Sequence, residues 1–280
     1  MQRIKTVKKL KEIIKTLKDE ERTIGFVPTM GALHKGHISL IKRSVRENEV
    51  TLMSIFVNPR QFNNSNDLKT YPRNLQEDER LLKYEKVDYI FAPSVDEIYP
   101  EKETKSYDFG GLAKVMEGKY REGHFNGVAQ VVSILLDLIP ADRAYFGRKD
   151  YQQLVIINHL VEHYKPECDT QIVECNTVRE KDGLAMSSRN AQLTKSERLA
   201  APTIFDILSR YRNKIHTLSP QEIIDEVKEQ INAHPLLKVE YFEIVNDKTL
   251  KPVDSIEHNK TSGCIAVHAG KVRLIDNISF

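Results

Sequence analysis

Short apolar runs alternate with segments of helical period from Thr23 to Cys175, and few folds accommodate that rhythm. Thr23 to Val27 reads as an apolar strand that ends in a Pro28–Gly31 turn. A helix beginning near Gly36 or His37 follows, with Ile38, Leu40, Ile41 and Val45 on one face, and Val50 to Val57 reads as a buried strand. Strand, loop, helix and strand in that order form the unit from which parallel sheets are built, because parallel neighbours need a long crossover. The spacing then predicts helices at Leu75–Tyr84, Val128–Ile139 and Tyr151–His163, and strands at Tyr89–Ala92, Ala144–Gly147 and Thr170–Cys175.

This is the pattern of a doubly wound, Rossmann-like α/β domain, in which ligands sit beyond the C-terminal ends of the strands. The character changes after Ser188, where helices at Ser196–Arg212 and Pro220–Ala233 precede strands at Val239–Val245, Gly263–His268 and Val272–Ile275. We therefore expect a Rossmann-like domain over 1–176 and a smaller α+β domain over 177–280. The opening segment, with Val7, Leu10, Ile13, Ile14 and Leu17 among five lysines, is expected to be a surface helix with a solvated basic face.

Composition removes several function classes. Forty-two Lys and Arg against 40 Asp and Glu leave a net charge of +2, so no global field draws polyanions and no nucleic-acid partner is expected. The most apolar stretch, Val128 to Pro140, falls short of the roughly 20 residues a membrane span needs. Lys and Glu recur from Lys5 to Arg22, so neither a secretory signal nor a membrane partner is expected, and the protein is expected to be cytoplasmic. Cys168, Cys175 and Cys264 are too few and scattered for a disulfide framework. With His159 and His163 nearby they match no common zinc spacing, and reduced structural thiols are expected.

Unusual polar residues gather at three strand-to-loop transitions. Pro28-Thr29-Met30-Gly31-Ala32-Leu33-His34-Lys35-Gly36-His37 places two histidines at the start of a helix, where free N–H groups and the helix dipole favour an anion. Imidazole donors there would follow charge growing on a phosphate. No Glu stands between the histidines, so a zincin-type metal site is the weaker reading. Phe146-Gly147-Arg148-Lys149-Asp150-Tyr151-Gln152-Gln153 puts Lys149 at another helix start, a poor fit to the dipole unless an anion neutralises it. Arg179 to Asn190 carries Ser187, Ser188 and Arg189 on a glycine-containing loop suited to phosphate. Asn58 and Gln61, at the end of a strand, suit hydroxyl or carboxyl groups of a small substrate.

Together PTMGALHKGH, FVNPRQF, YPR at Tyr71–Arg73, GHFNGV, FGRKDYQQL, REKDGLAMSSRN and the final Arg273–Asn277 closely resemble the pantoate–β-alanine ligases of pantothenate and coenzyme A biosynthesis. The resemblance implies an AMP-forming ligase that condenses (R)-pantoate with β-alanine through pantoyl adenylate, releasing AMP and pyrophosphate. Carried over residue by residue, it implies His34, His37 and Lys149 as catalytic groups, and His37 also as a proton donor. Met30, Gly31, Gly147, Asp150, Val178 and Met186 would contact the nucleotide. Lys149, Ser187, Ser188 and Arg189 would hold its phosphates. Gln61, Gln153 and Asn58 would bind pantoate, with Gln61 also meeting β-alanine. ATP is the expected substrate with Mg2+, for which Glu77 and Asp78 are candidate ligands, although Gln76-Glu77-Asp78-Glu79 also reads as an exposed acidic helix face. The resemblance further implies a homodimer. Arg60 and Arg148 depart from the residues common in the family and are expected to add positive charge near the mouth of the pocket.

Overall fold

The computed structural model describes residues 1–101 and 105–280. Strands β1 (Gln2–Ile4), β2 (Ile24–Thr29), β3 (Val50–Ile55), β4 (Tyr89–Phe91), β5 (Arg143–Gly147) and β6 (Gln171–Cys175) form one parallel sheet in the order β1-β4-β3-β2-β5-β6. Both faces of this sheet are covered, as a parallel sheet requires. Successive side chains point to opposite faces. Phe26 and Leu52 pack towards the helices Val7–Asp19, His124–Leu138 and Tyr151–Tyr164, whereas Val27 and Met53 pack towards Lys35–Glu47 and Leu75–Leu82. The parallel register pairs Ile24 with Val50 and Thr29 with Ile55, which brings the C-terminal ends of β2 and β3 level.

A second sheet of β7 (Leu237–Asn246), β8 (Thr261–Ala269) and β9 (Val272–Ser279) is antiparallel, in that order. One face packs on Ile204, Ile207 and Leu208 of the helix Thr203–Arg212 and on Ile223, Val227 and Ile231 of Pro220–Asn232. Its other face places Tyr241, Cys264 and Ala266 against Met116 and Tyr151 of the larger unit. An ion cluster fastens this contact. The Arg273 guanidinium donates to Glu117 at 2.8 and 2.6 Å and to Glu240 at 2.9 and 2.6 Å, and the Tyr241 hydroxyl donates to Glu117 at 2.9 Å. Glu117 is 8% exposed, and these hydrogen bonds keep its carboxyl below the usual carboxylate range against the opposing effect of burial.

Differences from the sequence expectation have local causes. The helix expected over Ser196–Arg212 is two, Lys195–Ala200 and Thr203–Arg212, separated at Pro202, which lacks an N–H and clashes with the preceding turn. The helix expected from Val128 begins at His124, after Gly123 in a left-handed conformation. β1 has too few residues to show a period, and its hydrogen bonds to β4 define it. The amino-terminal helix buries Leu10, Ile14 and Leu17 and leaves Lys8, Lys9, Lys11, Lys15 and Lys18 exposed, as expected.

Gly127 allows the helix His124–Leu138 to lie against the turn Pro59–Gln61. A Cβ there would meet the Arg60 carbonyl oxygen at 2.1 Å and the Gln61 nitrogen at 2.7 Å. Gly127→Ala should therefore destabilise the fold by ~1–3 kcal/mol, as overpacking typically does. The measurement is a denaturant midpoint lowered at constant slope, and an unchanged midpoint would contradict the close approach.

Candidate active site

The order of strands reverses between β2 and β5, and a cavity opens at their C-terminal ends. Met30, His34 and His37 line it from the segment after β2, and Asn58 and Gln61 from the turn after β3. Gly147 enters at the end of β5 and Lys149, Asp150 and Gln153 just after it, Val178 after β6, and Met186, Ser187, Ser188 and Arg189 from the following loop. The histidines, the lysine and the Ser-Ser-Arg segment, far apart in sequence, thus face one space. Gly31 does not line it; Gly31 is buried in the turn beneath, with φ +80°.

His34 is the N-cap of the helix Lys35–Glu47. Its Nδ1 accepts the Gly36 N–H at 3.1 Å, and the Nδ1 of His37 accepts the His34 N–H at 3.3 Å. This is a reciprocal capping box made by two imidazoles. Because both Nδ1 atoms accept, each neutral ring carries its proton on Nε2. The ring centroids are 4.1 Å apart. Burial and nearby Lys149 lower the pKa of His34 to about 4; burial, His34 and Lys149 lower that of His37 to about 3. At neutral pH the pair is uncharged, offering two Nε2–H donors at a helix N-terminus.

Lys149 lies on the turn Arg148–Asp150, 3.8 Å from the Asp150 carboxylate, with its side chain 19% exposed. Asn277 of β9 donates to the Arg148 and Lys149 carbonyls, both at 2.9 Å, so the small sheet braces the turn. Sequence reasoning gave Asn277 no role, since a brace reaching back across the whole second unit leaves no local signal. Ser187 accepts the Arg189 N–H at 3.3 Å, and Arg189 itself pairs with Asp67 at 3.1 Å.

Gln61 is 7% exposed and donates to the Met30 sulfur at 2.9 Å. Asn58 has no hydrogen-bonding capacity left for a ligand. Its amide donates to Gln61 Oε1 at 3.1 Å and to the Gly127 carbonyl at 3.0 Å, and its oxygen accepts from Tyr99 at 2.8 Å and from the Arg60 N–H at 3.2 Å. Asn58 fixes Gln61. His124 does likewise, since its Nδ1 lies 2.8 Å from the Gln61 carbonyl oxygen, and burial lowers its pKa to about 4.

The charge expected at the pocket mouth from Arg60 and Arg148 is absent, because both turn elsewhere. Arg60 stacks 3.8 Å from the Tyr99 ring centroid and donates to Gln130, while Arg148 bonds Glu174, Ser262 and Ser279. Glu77 and Asp78 do not fit a magnesium ligand pair. Glu77 is paired with Arg80 at 2.7 Å, its side chain 45% exposed, whereas Asp78 is 2% exposed and accepts two backbone N–H groups. Neither lines the cavity, and Asp78 does not belong to an exposed acidic face. Among the described residues no group of three or more His, Cys, Asp or Glu is placed to hold a metal, all three cysteines are free, and no helix is long and apolar enough to cross a membrane.

The family model described as pantoate-beta-alanine ligase matches residues 2–279. The chain belongs to the pantoate–β-alanine ligase family. Like other pantoate–β-alanine ligases, it joins pantoate to β-alanine with ATP in pantothenate synthesis. Pantothenate synthetases of Bacteroides fragilis and Porphyromonas gingivalis are 50% and 47% identical to it, each over 100% of this chain and 99% of the relative. The crystal structure of pantothenate synthetase from Thermus thermophilus matches with a TM-score of 0.92 at 39% identity, over 100% of this chain and 99% of that one. The Francisella tularensis pantoate-beta-alanine ligase, solved in complex with beta-gamma ATP and β-alanine, matches with a TM-score of 0.85 at 38% identity, over 100% and 97%.

Buried His124 and the half-buried pair His34 and His37 predict an acid-sensitive fold for this ligase. Their folded pKa values lie below the 6.5 of a free imidazole. As pH falls from 6.5 towards 4 the unfolded chain takes up protons that the folded chain refuses, so stability falls through that window. Denaturant midpoints should drop over that range, and the drop should be shallower for His124→Asn, which keeps a donor for Gln61 without a titrating ring. Identical profiles for the variant and the wild type would contradict the assignment.

Proposed function

We propose that this cavity makes pantothenate in two steps through pantoyl adenylate. The observation that carries the reading is that His34, His37, Lys149 and Ser187–Arg189 face the same space as Gln61 and Gln153. In the first step a pantoate carboxylate oxygen bonds to the α-phosphorus of ATP. The bond from that phosphorus to the bridging oxygen breaks, and pyrophosphate leaves with the electron pair. In the second, the β-alanine nitrogen, stripped of its ammonium proton, bonds the activated carbonyl carbon. The bond from carbon to the phosphate oxygen breaks, AMP leaves with the electrons, and the nitrogen loses a proton as the amide forms.

In this reading the neutral imidazoles donate from Nε2 to phosphate oxygens as charge grows on them, which suits a barrier lowered by positioning and electrostatics. Before ATP binds, His37 is an uncharged hydrogen-bond donor, its pKa lowered by burial, His34 and Lys149. Lys149, Ser187, Ser188 and Arg189 hold phosphates; Arg189 exchanges its carboxylate partner for the ligand. The turn Gly147–Asp150, with Met30, Val178 and Met186, receives the adenosine, and Gly31 shapes the approach from below. Gln61 and Gln153 grip pantoate, Gln61 also meets β-alanine, and Asn58 acts by holding the Gln61 amide. Magnesium would come with the triphosphate as its counter-ion and offset its negative charge, without Glu77 or Asp78 as ligands. We divide the chain into a catalytic unit over 1–176 and a covering unit over 177–280, and read the protein as a cytoplasmic homodimer on the family likeness; sedimentation tests the dimer.

Exchange of labelled pyrophosphate into ATP should require pantoate and proceed without β-alanine, and AMP should accumulate when both substrates are present. Exchange that ignores pantoate, or ADP as the product, would refute the reading. Replacing His34 or His37 by Ala should cut turnover by about 10²–10³-fold, the usual loss on removing one preorganised donor. Near-normal turnover in both variants would remove the histidines from the chemistry.

A further inference from the structure

We propose that Asp78 is a positioning residue that clamps the left-handed turn ahead of the two histidines, and that it is not a magnesium ligand. The inference rests on the proposed role of the histidines and explains a carboxylate that role leaves unused. Asp78 lies on the helix Leu75–Leu82, remote in sequence from the turn it touches. Its Oδ2 accepts the Ala32 N–H at 3.0 Å and its Oδ1 accepts the Leu33 N–H at 2.8 Å.

Those two amides belong to an unusual stretch of backbone. Gly31 has φ +80° and Ala32 has φ +52°. A left-handed residue that carries a Cβ costs roughly 1–2 kcal/mol, so Ala32 needs something to hold it there. Successive N–H groups aimed at one carboxylate form a charge-assisted pair of hydrogen bonds of the kind that binds anions in turns. The clamp ends at Leu33, and the next residue is His34, the N-cap whose ring completes the box with His37. The direction in which the chain leaves the turn therefore sets where both Nε2–H groups point.

The same geometry argues against a cation at Asp78. Magnesium demands a near-octahedral shell and keeps several waters. A Cβ added at Gly31 would lie 2.9 Å from Asp78 Oδ2 and 3.0 Å from an Ile55 methyl, so this side of the carboxylate is filled by protein. The neighbouring Glu77 is engaged with Arg80 and does not share the site.

The test uses the full chain. Asp78→Asn keeps the shape but turns an NH2 group towards one of the two amides. Pantoate-dependent pyrophosphate exchange should fall ~10- to 100-fold in kcat, the scale of loss for a slight misplacement of catalytic groups. The KM for ATP and pantoate should hold within about threefold, and the Mg2+ concentration for half-maximal rate should not move. Wild-type kcat, or a loss recovered by raising Mg2+, would overturn the proposal. A second measurement needs no variant: in the wild-type protein the Ala32 and Leu33 amides should exchange slowly with deuterium, equally so with Mg2+ or EDTA. Fast or Mg2+-dependent exchange would overturn the clamp. An absence of pantoate-dependent exchange in the wild type would refute the functional reading alone, because amide protection is read without activity.

Discussion

The first amides of any helix lack acceptors within it, and at the helix Lys35–Glu47 two of them are satisfied by imidazole nitrogens rather than by the usual hydroxyl or carboxylate. That exchange settles several properties together. A ring whose Nδ1 accepts a hydrogen bond carries its proton on Nε2. A ring that is partly desolvated beside Lys149 stays neutral. A helix start capped without negative charge keeps its positive potential for a ligand. An Asp cap would satisfy the same amides but, being acceptor-only when ionised, would supply no donor to the cavity.

The cavity depends equally on the three-stranded sheet. Asn277 braces the turn that carries Lys149, and the loop bearing Met186 to Arg189 is tied down by Arg179, which binds Asp276 through two bonds of 2.6 and 2.9 Å. The Glu117–Arg273–Glu240 cluster anchors the sheet that supplies these braces. Ion clusters of this kind often contribute little net stability, because desolvation offsets attraction. Their clearer consequence is orientation: the carboxylates accept these guanidinium bonds in one docking of the small sheet, which keeps Asn277 against the turn that carries Lys149.

Much of this was legible in the sequence because it was local or periodic. The alternation from Thr23 to Cys175 carried the parallel sheet, and the helix start near Gly36 and His37 followed from the turn before it. The convergence of His34, His37, Lys149 and Ser187–Arg189 agreed with motif position. What a sequence does not display is long-range. Pairing such as Asp78 with Ala32 and Leu33, or Asn277 with Lys149, leaves no mark in a window of neighbouring residues. Asp78 looked like part of an acidic helix face, and only tertiary packing separates it from Glu77. The destinations of Arg60 and Arg148 were hidden for the same reason, since charge counted along the chain does not say whether a guanidinium meets solvent, a ring or a carboxylate. The break at Pro202 was readable from the residue itself, and the apolar period on either side masked it.

The central claim is that this cavity brings the pantoate carboxylate to the α-phosphorus of ATP. Pantoate labelled with 18O in its carboxylate tests it directly, by mass analysis of the products after complete turnover with β-alanine. One labelled oxygen should appear in the phosphate of AMP, and none in pyrophosphate. Label in pyrophosphate or inorganic phosphate, or AMP without label, would contradict the account.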